Sequence, residues 1–266
     1  MLIHGIGSCW RCWDPVLPLL REHHDVVALD LPGYGESPAI DGDPTIFAIT
    51  DALDEALLAA GLDDVHLVGN SMGGWIAAEL AARGRARTTV AISPAGLMTR
   101  RELAFANRTL GPAQRTAQRI APHAERLVAT AAGRTLAFGQ IQARPWKLDP
   151  ESAAHQVRML AGSPSFVATL AWGVKHQPQP RGLDQISSPF RVVWGTRDFV
   201  LPYRQAQRWL RYVPGAELVT LRGLGHLPMA DDPELVARTI LEVSAPAAER
   251  QARRVPERSR PAAVRA

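Results

Sequence analysis

The stretch DVHLVGNSMGGWIAAELAARG constrains the fold more than any other. An apolar, β-branched run leads into Gly69-Asn70-Ser71-Met72-Gly73, and an Ala-rich apolar helical stretch follows and closes at Gly84. G-x-S-x-G between a strand and a helix puts the serine on a turn so tight that a side chain two residues to either side would collide with the strand or the helix. Glycine at 69 and 73 removes the Cβ at both places. The Ser71 hydroxyl is then presented at a helix N-terminus, where backbone N–H groups and the helix dipole favour developing negative charge.

The surrounding pattern agrees. Apolar runs (LIHG, DVVALDLPGYG, RTTVAISPAG, FRVVWGTRD, AELVTLRG) alternate with helical periods such as TIFAITDALDEALLAAG and PELVARTILEVSA. Continuous apolar strands separated by helices predict an α/β fold, a mostly parallel sheet covered on both faces. The alternation fails between Leu97 and Ser188, a proline-cut stretch of helical propensity that reads as an insertion. The expected organisation is therefore 1–96 core, 97–188 helical lid, 189–246 core, and 247–266 a disordered basic tail.

Charge follows the same division. The formal net charge is +4. From Leu97 to Asp184 there are 12 Lys/Arg against 5 Asp/Glu, and from Glu249 to Ala266 there are 6 against 2, so the remainder is acidic. The basic lid hints at an anionic substrate or an acidic partner. No aromatic-interleaved or helix-turn-helix pattern supports nucleic-acid binding. No apolar run reaches the ~18 residues of a membrane span. With no signal-peptide pattern either, a cytoplasmic location without membrane contact is expected.

A serine hydroxyl needs a base, and the base needs an orienting carboxylate. Both should follow later strands, in the order Ser, acid, His. Asp198 comes just past FRVVWG, and His226 sits on a Gly-flanked loop after AELVTL. The other histidines fit worse: His23, His24 and His66 at element beginnings, His123, His155 and His176 in the insertion, and His4 in the first turn. Asp231 and Asp232 read as N-capping acids before Pro233. Cys9 and Cys12 form a C-x-x-C pair, but a structural zinc needs four ligands and the chain has two cysteines, so no metal is expected.

HGIG, DLPGYGES, GNSMGG, GTRD and GLGH, in this order from Met1 to about Ser244, resemble the α/β-hydrolase family of serine hydrolases, the type with a lid between two strands. The resemblance implies a catalytic triad of Ser71, Asp198 and His226. It implies an oxyanion hole from the N–H groups of Ile6 and Met72, with Gly5, Gly69 and Gly73 as structural glycines, and no cofactor. Similar hydrolases carry two strands ahead of the His-Gly turn. Their absence here predicts an exposed DVVALDL edge and a native start upstream of Met1.

The expected function is hydrolysis of a small carboxylic ester, thioester or lactone through an acyl-enzyme. A serine nucleophile argues against the haloalkane dehalogenase and epoxide hydrolase branches, which attack with a carboxylate. The alternatives are a carbon–carbon bond hydrolase of diketo acids (against which Leu227 stands where that branch has Trp), a cofactor-free perhydrolase or acyltransferase, and a non-catalytic ligand-binding protein. The oligomeric state is not specified by these features.

Overall fold

The computed structural model describes residues 1–245. The basic tail expected from residue 247 onward lies outside them. Six strands form one parallel sheet: β1 (Leu2–Ile3), β2 (Ala28–Leu29), β3 (Val65–Asn70), β4 (Ala86–Ile92), β5 (Phe190–Gly195) and β6 (Glu217–Leu221), in the order β2-β1-β3-β4-β5-β6. The helices are α1 (Leu17–Arg21), α2 (Ile46–Ala59), α3 (Met72–Ala82), α4 (Arg100–Ile120), α5 (Ala124–Val128), α6 (Ala131–Phe138), α7 (Pro150–Gly162), α8 (Phe166–His176), α9 (Ala206–Tyr212), α10 (Pro228–Asp231) and α11 (Pro233–Ser244).

Period-two alternation divides the strand residues between two cores. Leu2, Val68, Val90, Ile92 and Val193 pack with α1 and α11 on one face. Ile3 and Leu67 face α2 and α3 on the other, and Ala91, Val192 and Trp194 face α9 Trp209 there. The central strand β5 is therefore buried throughout because both faces are covered, whereas the edge strand β6 exposes Glu217 and Thr220. DVVALDL departs further. Only Ala28 and Leu29 join the ladder. The chain turns at Pro32-Gly33, and the Asp30 carboxylate accepts hydrogen bonds from the N–H groups of Trp10 (2.8 Å) and Glu36 (3.0 Å). His23 and His24 follow α1 rather than begin an element.

Between β4 and β5, helices α4 to α8 make the insertion. It has a small core of its own, built from Ala117, Val128, Phe138, Leu148, Ala154 and Val157 among others. Its first turn is fastened to the main body by one buried carboxylate. Glu102 closes a capping box with Thr99 and also receives Arg204 (2.7 Å) and Arg208 (2.6 Å) from the α9 side. Burial opposes ionisation of Glu102, but hydrogen bonds from Arg208, Thr99 and Arg204 outweigh it and hold the carboxyl at about 2. This contribution is fully present above the ordinary pKa near 4.5 and is lost as pH falls through about 2. Glu102→Ala strands Arg208 and uncaps α4. It should cost about 2–3 kcal/mol, less than a fully buried pair because Arg204 is mostly exposed. Chemical denaturation at neutral pH, repeated near pH 2 where the difference from wild type should shrink, checks this.

Candidate active site

Ser71 lies between the carboxyl end of β3 and the start of α3 with φ 57° and ψ −117°. This is a costly region for a residue with a Cβ, and the surroundings hold it there. Its N–H donates to Ile92 O (2.9 Å), while its carbonyl accepts from Gly74 (3.0 Å), Trp75 (3.2 Å) and Ala95 (3.0 Å). A Cβ on Gly69 would overlap the Gly73 carbonyl, and one on Gly73 would overlap the carbonyls of Ile3 and His4. The two glycines thus let the elbow close on itself and on β1.

His226 and Asp198 are both buried and adjoin. His226 Nδ1 and Asp198 Oδ2 are 2.8 Å apart. Asp198 Oδ1 is occupied by the N–H groups of Val200 (2.9 Å) and Leu201 (2.8 Å), which fixes the carboxylate plane. A carboxylate at Nδ1 selects the tautomer protonated there and leaves Nε2 as the basic nitrogen. The histidine loop is tied to the elbow by Asn70, the residue before the serine. Its Nδ2 donates to the backbone oxygens of His226 (3.0 Å) and Ile92 (3.2 Å). Among the described residues Ser71 Oγ makes no direct hydrogen bond to His226. Such bonds are commonly long in ligand-free hydrolases and tighten around substrate.

Ile6 and Met72 both border the pocket beside Ser71. Among the described residues neither backbone N–H has a hydrogen-bond acceptor. For Met72 this follows from its place in the first turn of α3. For Ile6 it follows from a turn whose closing bond runs from Ser8 N to Gly5 O (3.2 Å), with Gly7 at φ 71°. A Cβ on Gly5 would stand 3.0 Å from Ser71 Cβ, so this glycine sets how closely the turn approaches the serine.

Sequence reasoning left three contributors without a site role. His4 is fully buried, with Nδ1 2.8 Å from Gly5 O and Nε2 accepting from Leu31 N–H at 3.0 Å. Asn70 was visible only as the variable residue of the elbow motif. Asp231 does not cap the last helix. It ends α10, and its carboxylate accepts from the N–H groups of Ala143 (3.0 Å), Arg144 (2.8 Å) and Gly225 (2.8 Å), coupling the insertion to the histidine loop. Asp232 alone is the cap, accepting from Leu235 N–H at 3.1 Å.

The pocket in front of Ser71 is walled by Trp75, Met98, Leu103, Leu110, Leu170 and Val200. Its polar side chains are Ser71, Thr169 and Gln177, and it holds no charged one. The basic residues of the insertion are not in the lining, although Arg100 Nε donates to Oε1 of the lining residue Gln177 (3.0 Å). The expectation of an anionic substrate finds no counter-charge there.

The chain matches the alpha/beta hydrolase family over residues 1–239. It belongs to that family. Within it, the chain is 31% identical over 199 residues to the epoxide hydrolase EphH of Mycobacterium tuberculosis, covering 72% of this chain and 91% of that protein. It is 26% identical over 242 residues to a putative carbamate hydrolase, RutD, of Escherichia coli, covering 88% and 85%. A thermophilic esterase from Thermogutta terrifontis superposes with a TM-score of 0.68 at 25% identity, covering 91% of this chain and 87% of that one. This alpha/beta hydrolase therefore has relatives that cleave different bonds, and the choice among them falls to its own residues.

The C-x-x-C pair is not part of the pocket lining. Cys9 and Cys12 are free, buried thiols, Cys9 just before the turn at Trp10–Trp13 and Cys12 within it. Burial pushes Cys9 up to about 11 and raises Cys12 further, so neither is a thiolate at neutral pH. Cys9 Sγ is 3.5 Å from His155 Nε2 of α7. Among the described residues no cluster of three His, Cys, Asp or Glu side chains forms here. Replacing both cysteines by serine should leave turnover within about threefold and activity indifferent to reductant, since substitutions away from the chemistry act mainly through stability. Steady-state rates with and without dithiothreitol, and metal analysis of the purified wild type, check this.

Proposed function

We propose that this alpha/beta hydrolase cleaves a small, neutral, largely apolar carboxylic ester, thioester or lactone through an acyl-enzyme on Ser71. The observation that carries the reading is the Asp198–His226 pair, tied by Asn70 to a strained serine that faces an uncharged apolar pocket. In the proposed cycle His226 Nε2 takes the Ser71 Oγ proton as the oxygen attacks the substrate carbonyl. The N–H groups of Ile6 and Met72 receive the oxyanion. His226 then passes the proton to the leaving oxygen or sulfur. Water, activated by the same nitrogen, attacks the acyl group and restores Ser71. Asp198 orients the imidazole and stabilises its charged form.

Two family chemistries fit less well. Epoxide opening in this family uses a carboxylate nucleophile, and position 71 is a serine. Cleavage of a diketo acid calls for a cation to hold its carboxylate, and the pocket supplies none.

The test is fluorophosphonate labelling followed by peptide mapping, together with paired acyl esters that differ only in a distal carboxylate. The expected outcome is one adduct, at Ser71, abolished in His226→Ala, and at least about tenfold higher kcat/KM for the neutral ester, the cost of bringing an unpaired charge into an apolar pocket. An adduct elsewhere, or none on folded protein, overturns the acyl-enzyme. Equal rates on the two esters overturn the neutral-substrate reading.

A further inference from the structure

Helix α4 has two unlike sides. Toward the body it contributes Leu103, Ala106 and Leu110 to the pocket wall, and Glu102, Gln114 and Ala117 are buried. On the other side Arg101, Phe105, Arg108, Pro112, Arg115 and Arg119 are all exposed. Their spacing alternates four and three, so they form one ridge along the helix. At 1.5 Å per residue the ridge is about 27 Å long.

Among the described residues none of these four arginines has a carboxylate partner. The acids closest to them in sequence are engaged elsewhere: Glu102 with Arg204 and Arg208, and Glu125 with Arg158. Guanidinium groups without a carboxylate partner are available to anions, and their planar fork matches phosphate oxygens. Phe105 stands within the ridge at 48% exposure, and the same insertion exposes Leu127, Trp146, Val167 and, at 91%, Leu136. Basic residues along one helix face, with an exposed aromatic side chain between them, are the pattern of a surface that meets anionic lipid headgroups. Phe105, between Arg101 and Arg108 on the same ridge, is an apolar anchor that contact with duplex phosphates alone would leave in water.

We infer that the outer face of α4 is a peripheral docking surface for anionic phospholipid. There, the arginines contact lipid phosphates and Phe105 enters the headgroup region. This goes beyond the proposed function and does not depend on it. It sets aside the expectation of no membrane contact. Peripheral docking needs no spanning helix, and none of the described helices is long and apolar enough to cross a bilayer. It also gives the apolar pocket a position one helix thickness from the lipid.

The test is flotation of the full chain with vesicles of phosphatidylcholine alone or mixed with phosphatidylglycerol, at near-physiological salt. Binding to the mixed vesicles only, weakened by added salt, is expected. At about fivefold in partitioning per arginine, R101E/R108E/R115E/R119E should lose at least about a hundredfold. The single reversals R115E and R119E should each lose several-fold, and F105A should weaken binding while leaving its salt dependence. Thermal unfolding of each variant controls for folding, and the singles keep the test decisive if the quadruple variant fails to fold. Failure of the wild type to bind the mixed vesicles overturns the inference. So do equal binding to phosphatidylcholine alone, wild-type partitioning by the single reversals, and binding of duplex DNA without binding of vesicles. Repeating the flotation with Ser71→Ala should change nothing, so a failed acyl-enzyme reading and a failed docking surface are told apart.

Discussion

Asp198→Asn should lower kcat by about four orders of magnitude while the protein stays folded, as in the serine-protease case where the same change leaves geometry intact. The reason is visible in the hydrogen bonds. Asp198 Oδ1 is held by two backbone N–H groups and only Oδ2 faces His226. An amide at this position keeps its oxygen on the Val200 and Leu201 donors, which accept no alternative. Its NH2 then faces Nδ1 and selects the wrong imidazole tautomer, with the proton on Nε2. The nitrogen that should take the serine proton is already protonated. Ser71→Ala and His226→Ala remove the reacting groups themselves and should lose about 10⁶ in kcat, with residual catalysis from the oxyanion donors. The losses should not add when the changes are combined, because the groups act as one unit. Single-turnover rates on an activated ester, with thermal unfolding as the fold control, provide the check. A kcat for Asp198→Asn within tenfold of wild type would mean that another carboxylate orients His226.

What the sequence discloses depends on how local the physical cause is. The elbow is legible because its sterics are confined to five consecutive residues between two elements of opposite periodicity. Asp198 and His226 are legible for a related reason: each follows a strand-like run rich in apolar residues, and in a parallel sheet all strand carboxyl ends open onto the same edge. The rest depends on contacts distant in sequence. Asp231 has the sequence context of a helix cap, but its acceptor capacity goes to N–H groups at residues 143 and 144. Asn70 occupies a position that the motif leaves free, and its partner is 156 residues away. The basic count of the insertion is plain in the sequence. Which way those arginines point is not, because it is set by which side of α4 packs on the pocket. DVVALDL has the composition of a full strand, yet only two of its residues pair in the ladder, and its Asp30 side chain instead accepts from the N–H groups of Trp10 and Glu36.

His4 shows how a positioning role follows from such contacts. The carbonyl of Gly5 and the N–H of Ile6 belong to one planar peptide and point in opposite directions. Nε2 of His4 accepts from Leu31 N–H, so the ring proton is on Nδ1, which donates to Gly5 O. Gripping the oxygen end of that peptide aims its N–H end into the pocket where the oxyanion is expected. His4→Ala should therefore reduce kcat by about 10²–10³, the range for loss of one oxyanion donor, with little change in KM. Asparagine and glutamine separate the two ring contacts. The Asn amide nitrogen reaches roughly where Nδ1 stands and can still hold Gly5 O, whereas Gln reaches where Nε2 stands and serves only Leu31. His4→Asn should restore a large part of kcat and His4→Gln should not. A merely structural histidine would give the reverse or no difference, with activity tracking stability. Burial also lowers the His4 pKa from 6.5 to about 4, against the smaller opposing effects of the Gly5 hydrogen bond and Asp30. The unfolded imidazole takes up a proton as pH falls below 6.5 and the folded one does not until about 4. The stability due to neutral His4 is thus present above 6.5, erodes across that window by about 3 kcal/mol in all, and is gone once pH has fallen through 4. Denaturant midpoints measured from pH 7 to 4 should fall less steeply in His4→Asn than in wild type. Parallel slopes would show that His4 does not titrate between the two states.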